Sequence, residues 1–128
     1  MPTGLPATTG DVLTAASYNS LVSFSITTNT NDTTAVLADQ YQMLEVMNKA
    51  TAIAFNIPTN ASVAFPIGTV ITVLNIGAGV CTIKAVTPAT TTVLSAGATA
   101  AQPTLAQYRS AACIKTGTDT WIIAGAIG

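Results

Sequence analysis

The chain has 128 residues, of which 49% are hydrophobic and only 7% are charged, and its formal net charge is −1. This length fits one domain with one core, and so weak a charge provides no basic patch for nucleic acid. The surface must be built largely from Thr, Ser, Asn, Gln and Ala, and a net charge near zero removes the repulsion that keeps copies of a protein apart.

The amino-terminal third has a different composition from the rest. Residues 1–10 include two prolines, two glycines and three threonines, which resist helix formation. Thr14 is a suitable N-cap for a short helix within residues 11–21, and the stretch 27–34, rich in Thr and Asn, is typical of a loop. We therefore expect an extended arm over residues 1–35, with room for one short helix, and a compact module over residues 36–128.

The same region bears on compartment. No basic residue precedes Lys49, so the amino terminus lacks the positive region of a secretory signal, and we expect the chain to be used without export. No apolar run approaches the ~20 residues that cross a bilayer, so no membrane association is expected. Cys81 and Cys113 lie in separate predicted strands, and buried reduced thiols are favoured over a bridge between them.

From Val36 onward, apolar residues alternate with a period of two, which is typical of strands. Pro58 ends one strand because it has no N–H to donate, Gly77–Gly79 predicts a hairpin connection, and Thr116–Asp119 predicts a second turn. Frequent turns without intervening amphipathic helices predict an all-β protein, specifically an antiparallel, jelly-roll-like β-sandwich. The predicted strands are Tyr41–Met47, Ile53–Ile57, Thr69–Asn75, Val80–Val86, Thr91–Leu94, Thr99–Leu105, Gln107–Lys115 and Thr120–Ala126.

Two of these strands are apolar on both faces. Val70 and Leu74 alternate with Ile71 and Val73, and Ile122, Ala124 and Ala126 alternate with Trp121 and Ile123. One explanation is a central strand whose outer face carries scattered apolar residues. The other is that a second subunit or a host surface covers that face. Trp121 is expected to anchor the core; stacking on a sugar is the alternative.

The second half of the chain has an order of short segments that resembles a β-rich module of tailed-bacteriophage virion proteins, which include tail fibres, appendages and small head-decorating proteins. The resemblance covers a little over half of the chain, and residues 10–21 are also similar to segments near the start of phage fibre proteins. The chain is too short for a fibre with a long shaft. The resemblance is carried by Asn48–Ala52, Ile57–Pro58, Asn60–Val63, Phe65–Thr69, Gly77–Gly79, Cys81–Ile83, Gln107–Tyr108, Ile114–Lys115 and Thr118–Trp121.

The residues needed for common enzyme chemistry are missing from the sequence. There is no histidine, which excludes Ser-His-Asp and Cys-His nucleophile systems and the commonest metal ligand. The five acidic residues are scattered, with no close pair of the glycosidase type, and Asp32 and Asp39 are too sparse for a calcium site. Two Asn-x-Ser/Thr triplets begin at Asn31 and Asn60, but without an export signal we expect no glycosylation. We expect no catalytic, cofactor or metal site.

The resemblance implies a compact virion component assembled in the host cytoplasm. The first expectation is a capsid cement or decoration protein that binds the major capsid protein and copies of itself, with a trimer favoured over a dimer. The alternative is a tail-fibre or appendage-associated adhesin that binds a host glycan or surface protein. An enzyme is not expected. The residues expected at contacts are Leu5, Val12, Leu13, Tyr18, Leu21, Val70, Leu74, Ile122, Ala124 and Ala126.

Overall fold

The computed structural model describes residues 14–15, 25–40, 43–98 and 101–128, and this part of the chain forms two β-sheets. One sheet has six strands in the order β1-β3-β5-β9-β10-β7, and the other has four in the order β2-β4-β6-β8. A 3-10 helix, Leu37–Gln40, lies between β2 and β3. The strands are β1 (Ser25–Asn29), β2 (Thr33–Thr34), β3 (Met43–Met47), β4 (Ile53–Ile57), β5 (Val70–Asn75), β6 (Cys81–Ala85), β7 (Thr92–Leu94), β8 (Thr104–Leu105), β9 (Arg109–Gly117) and β10 (Thr120–Gly125).

The chain passes from one sheet to the other after almost every strand. As a result β1, β3 and β5 lie side by side and parallel in the six-stranded sheet. In the four-stranded sheet β2, β4 and β6 are likewise parallel. The prediction of a two-sheet, all-β protein is confirmed, but the antiparallel jelly roll is wrong, because both sheets mix parallel and antiparallel pairs.

The connection through Gly77–Gly79 shows why the antiparallel prediction failed. It does not form a hairpin, because β5 and β6 belong to different sheets. Instead this bend stacks on the bend that follows β3, with the N–H of Gly79 donating to the carbonyl of Lys49 at 2.9 Å. A Cβ on Gly79 would lie 1.8 Å from the carbonyl oxygen of Thr51. The glycine is therefore needed for close stacking of two bends and not for a tight hairpin turn.

Among the described residues, every antiparallel strand pair includes β8, β9 or β10. β8 pairs with β6, β9 pairs with β5, and β9 and β10 form the predicted hairpin. The short strand β7 lies parallel to β10 at the edge of the six-stranded sheet. These strands complete both sheets beside the parallel strands β1, β3 and β5 of one sheet and β2, β4 and β6 of the other.

The core lies between the sheets and follows the predicted alternation. In β6, Cys81, Ile83 and Ala85 are buried while Thr82 and Lys84 are half-buried. Ile71 and Val73 of β5 face the same interior, so the period of two assigned the faces of these strands correctly. The largest apolar side chains that are almost fully buried are Trp121, Phe55, Met47, Ile57, Ile71, Ile83 and Leu105.

The amino-terminal segment contributes to both sheets. β1 and β2 fall within residues 1–35, which composition assigned to an arm, yet β1 pairs with β3 and β2 pairs with β4. The short helix predicted after Thr14 lies outside the described residues apart from Thr14 and Ala15. In the part of the chain that is described, no helix is long and apolar enough to cross a membrane.

Candidate interaction surface

The outer face of the six-stranded sheet carries a continuous row of aliphatic side chains. Val70 on β5 pairs with Ile114 on β9, which pairs with Ile122 on β10, which pairs with Leu94 on β7. Directly opposed residues share a face, with Cβ atoms about 4.5–5.5 Å apart. These four residues, called here the aliphatic row, therefore cross four adjacent strands without a polar interruption.

Much of this row is accessible to water. Val70 is 45% exposed and Ile122 is 37% exposed, and Ile114 and Leu94 between and beside them are half-buried. In the neighbouring rows of the same face lie Leu74, which is half-buried, and Ala124, which is exposed. By register, no Asp, Glu, Lys or Arg among the described residues occupies this face between β5 and β10. A contiguous apolar surface without guarding charges is typical of a binding surface.

The outer face of the four-stranded sheet is different. Its rows join Ala54 to Thr82 and Thr104, and Asn56 to Lys84. Apart from Ala54, these side chains are polar or charged and partly exposed, as expected for a sheet face in water. The row from Val70 to Leu94 is therefore aliphatic, whereas the paired positions on the outer face of β4, β6 and β8 are largely polar.

The structure describes half of the predicted contact residues. Val70, Leu74, Ile122 and Ala124 lie on the apolar outer face, and Ala126 follows β10 and is exposed. The predicted contacts Leu5, Val12, Leu13, Tyr18 and Leu21 lie outside the described residues.

Trp121 lies on the opposite side of β10 and points into the core. It is 2% exposed and makes an edge-to-face contact with Phe65, with ring centroids 5.5 Å apart and an interplanar angle of 88°. This arrangement is the favourable one for two aromatic rings. Trp121 is therefore not available for stacking on a sugar in this conformation.

One exposed aromatic residue was not among the contact residues predicted from the sequence. Tyr108 is 74% exposed and has a φ of 64°, a left-handed conformation that is uncommon for residues other than glycine. Its N–H donates to the carbonyl of Asn75 at 2.6 Å, which holds the strained backbone at the start of β9. Alternation does not reveal such a residue, because it lies where the strand begins.

A buried lysine lies near the end of β9, where it is the register partner of Trp121 on β10. Lys115 is 2% exposed, and its Nζ donates to the Oδ1 of Asn60 at 2.6 Å and to the carbonyl of Phe65 at 2.7 Å. The Oδ1 of Asp119 accepts from the backbone N–H of Asn60 at 2.8 Å and from the hydroxyl of Thr91 at 3.3 Å. Burial lowers the pKa of Lys115, and the negative charge of Asp119 partly opposes that effect.

The sequence contained a signal for this buried lysine. Ala111, Cys113 and Lys115 recur at every second position, so a strand that buries the first two must also direct the lysine inward. The partners Asn60 and Asp119 are brought to it only by the fold. The side chain of Asn60, which begins one of the two glycosylation-like triplets, is bound to this lysine.

A second buried polar centre pairs two acids. Glu45 on β3 and Asp39 in the 3-10 helix are both buried. Burial raises the pKa of Glu45 from 4.5 to about 7, and a hydrogen bond with Asp39 and the charge of that group act in the same direction, while the hydrogen bond from Asn29 lowers it. In the described part of the chain, the Oδ1 of Asp39 is buried and accepts no hydrogen bond. A protonated Glu45 can donate to Asp39, so burying the two acids together costs least while Glu45 carries its proton.

This pair predicts a pH-dependent stability. Because the folded-state pKa of Glu45 lies above its unfolded value, the stabilisation is fully present below pH 4.5 and is lost as the pH rises through about 7. Glu45→Gln keeps a permanent N–H donor toward Asp39. We expect the variant to be more stable than the wild type at pH 8 by on the order of 2 kcal/mol. Urea unfolding at pH 5 and pH 8 measures this, and an equal pH dependence in both proteins would contradict it.

The two cysteines are free and buried. Burial raises the pKa of Cys81 to about 11 and that of Cys113 further, so neither is a reactive thiolate at neutral pH. Within the described residues no group of three or more Cys, Asp or Glu side chains is placed to hold a metal ion.

Comparisons with known proteins add no relative: no family model matches the chain, and no curated protein or solved structure gives a significant match.

Proposed function

We propose that this chain is a structural virion protein that decorates a phage head and covers joints between capsid subunits. The observation that carries the proposal is the aliphatic row on the outer face of the six-stranded sheet, exposed at Val70 and Ile122. The paired strand positions on the other outer face are largely polar. Covering such a surface removes apolar area from water, which is favourable. The choice of the major capsid protein as the partner rests on the resemblance of the second half of the chain to phage virion modules.

The physical basis for stabilising a shell is additive over many copies. Each Å² of apolar surface removed from water contributes ~25 cal/mol before the cost of association is subtracted. A net charge of −1 means that neighbouring copies repel one another only weakly. Copies of the chain would form a symmetric ring at each joint, with a trimer favoured and a dimer as the alternative.

The proposal is tested by a matched pair of lysine substitutions. Ile122→Lys puts an ammonium in the aliphatic row, whereas Thr82→Lys puts one on the polar outer face of the four-stranded sheet. We expect Ile122→Lys to weaken binding to phage heads that lack the protein by about tenfold or more, which is ~1.4 kcal/mol. Thr82→Lys should bind as the wild type does. Both positions are solvent-facing, so both melting temperatures should stay close to that of the wild type.

Two outcomes would reject the proposal. Equal binding of heads by Ile122→Lys and Thr82→Lys would show that the aliphatic row is not the contact. Purified protein that binds host cells but not heads would favour the adhesin. A second measurement is heat rupture of particles with and without the protein: we expect particles without it to rupture at lower temperature, and an unchanged threshold would contradict a cement role.

A further inference from the structure

The centre around Lys115 places a side-chain amine close to the side-chain amide of Asn60. Its Nζ is 2.6 Å from the Oδ1 of Asn60, so it lies at most one C=O bond, about 1.2 Å, farther from the amide carbon Cγ. That separation is close to the ~3–3.5 Å at which bound groups react. The geometry holds a primary amine, from a lysine that is 2% exposed, against the carboxamide of a half-buried asparagine.

The surroundings favour the reactive form of the amine. Both acceptors of the Lys115 ammonium, the Asn60 side chain and the Phe65 carbonyl, are neutral oxygens. Trp121 pairs with Lys115 in the β9–β10 hairpin and packs against the ring of Phe65. A lysine held in such an apolar site is more readily deprotonated than one in water, and the neutral amine is the nucleophile.

Asp119 positions the amide. Its carboxylate binds the backbone N–H of Asn60 at 2.8 Å, which fixes the residue whose side chain meets the lysine. Its negative charge favours the ammonium form of Lys115 and partly opposes the effect of burial on the pKa of that group.

We propose that Lys115 and Asn60 form an intramolecular isopeptide bond in the folded protein, with Asp119 as the positioning residue. The ammonium of Lys115 first loses a proton, and the neutral Nζ attacks Cγ of Asn60. A second proton passes from Nζ to Nδ2, the Cγ–Nδ2 bond breaks, and ammonia leaves and takes up the first proton as ammonium. The Nζ–Cγ amide remains, so atoms and charge balance without an oxidant or any other reactant.

The bond would close a large loop. Asn60 and Lys115 are 55 residues apart and link the connection after β4 to the end of β9. A covalent link of this span restricts the unfolded chain much as a disulfide does, in a chain whose two thiols are free. This inference does not depend on the function proposed above.

The test is mass spectrometry of the purified full-length protein and of its tryptic peptides. We expect an intact mass one ammonia below that of the sequence, and a branched peptide in which residues 50–84 are joined to residues 110–128, because trypsin does not cleave after an acylated lysine. The branched peptide is the deciding signal, since closure of any asparagine to a succinimide also loses ammonia. A folded wild-type protein of full mass, with separate peptides 110–115 and 116–128, would overturn the proposal.

Three variants complete the design. Asn60→Ala removes the acceptor, so its mass should equal that of its sequence; a loss of ammonia that persists there would assign the deficit to another site and overturn the proposal. Asp119→Ala removes the acceptor of the Asn60 N–H, whereas Asp119→Asn keeps one. We expect Asp119→Ala to slow ligation by about 100-fold and Asp119→Asn to restore most of the rate; ligation by Asp119→Ala at the wild-type rate would overturn the role given to Asp119.

Discussion

Replacing Trp121 with alanine is expected to lower the free energy of unfolding by ~3–5 kcal/mol. The indole is 2% exposed and makes an edge-to-face contact with the ring of Phe65. Its removal leaves a cavity in the core beside that ring. Urea unfolding followed by circular dichroism measures the change as a lower midpoint at an unchanged slope.

Ile122→Ala is the matched control, because the neighbouring side chain leaves the same strand on its exposed side. Its loss should stay within about 1 kcal/mol. The pair of variants therefore separates the two faces of β10: one residue supports the fold and the other is placed for contact. A Trp121→Ala protein that keeps its unfolding midpoint but loses partner binding would contradict the core role.

Replacing Asn75 with alanine is expected to cost about 3–5 kcal/mol, since each buried backbone group left unpaired costs ~1–3 kcal/mol. The side-chain Nδ2 donates to the carbonyls of Gly79 and Leu105, both at 2.9 Å. Its Oδ1 accepts from the N–H of Gly77 at 3.1 Å. One side chain thus ties the bend after β5 to itself and to β8. Alanine leaves the two carbonyls without this donor, while the N–H of Gly77 keeps a longer bond to the carbonyl of Met47 at 3.3 Å.

Two further variants distinguish hydrogen bonding from lost volume. Asn75→Asp keeps the size of the side chain but removes the two N–H donors, so it should be destabilised at neutral pH at least as much as Asn75→Ala. Asn48→Ala truncates an exposed asparagine in the stacked bend after β3 and should change stability by less than about 0.5 kcal/mol. An Asn75→Asp protein as stable as the wild type would contradict the role of the two donated bonds.

The strands themselves were largely predictable, because alternation and turn residues are local signals. The strand Ile53–Ile57 has the predicted bounds, and the hairpin of β9 and β10 was predicted from Thr116–Asp119. The inward side of β6 followed from Cys81, Ile83 and Ala85. These features depend only on which side chains a strand buries, and a period of two records that directly.

The parallel winding was not predictable from the same signals. A bend containing Gly77 and Gly79 looks the same in sequence whether it folds a strand back beside its neighbour or carries it across to the opposite sheet. The distinction depends on contact with Lys49 and Thr51, nearly thirty residues earlier in the chain. Alternation says which side of a strand is buried but not which strand lies next to it.

The two buried polar centres were also predictable only in part. The inward direction of Lys115 and the apolar setting of Glu45 were visible in their strands, but their partners were not. Asn60 approaches Lys115 across 55 residues, and Asp39 reaches Glu45 from the 3-10 helix. The outer aliphatic row was visible in part: Val70 and Ile122 were predicted at contacts, and the register then added Ile114 and Leu94 between and beside them.

The most direct test of the proposed contact surface is a cryo-electron microscopy reconstruction of an intact virion that carries this protein. We expect the chain on the head, with the aliphatic row of Val70, Ile114, Ile122 and Leu94 against capsid subunits or a second copy of the chain, and with Thr82 and Lys84 facing solvent. A reconstruction in which the aliphatic row faces water, or in which the four-stranded sheet makes the contact, would contradict the proposal that this row is the contact surface.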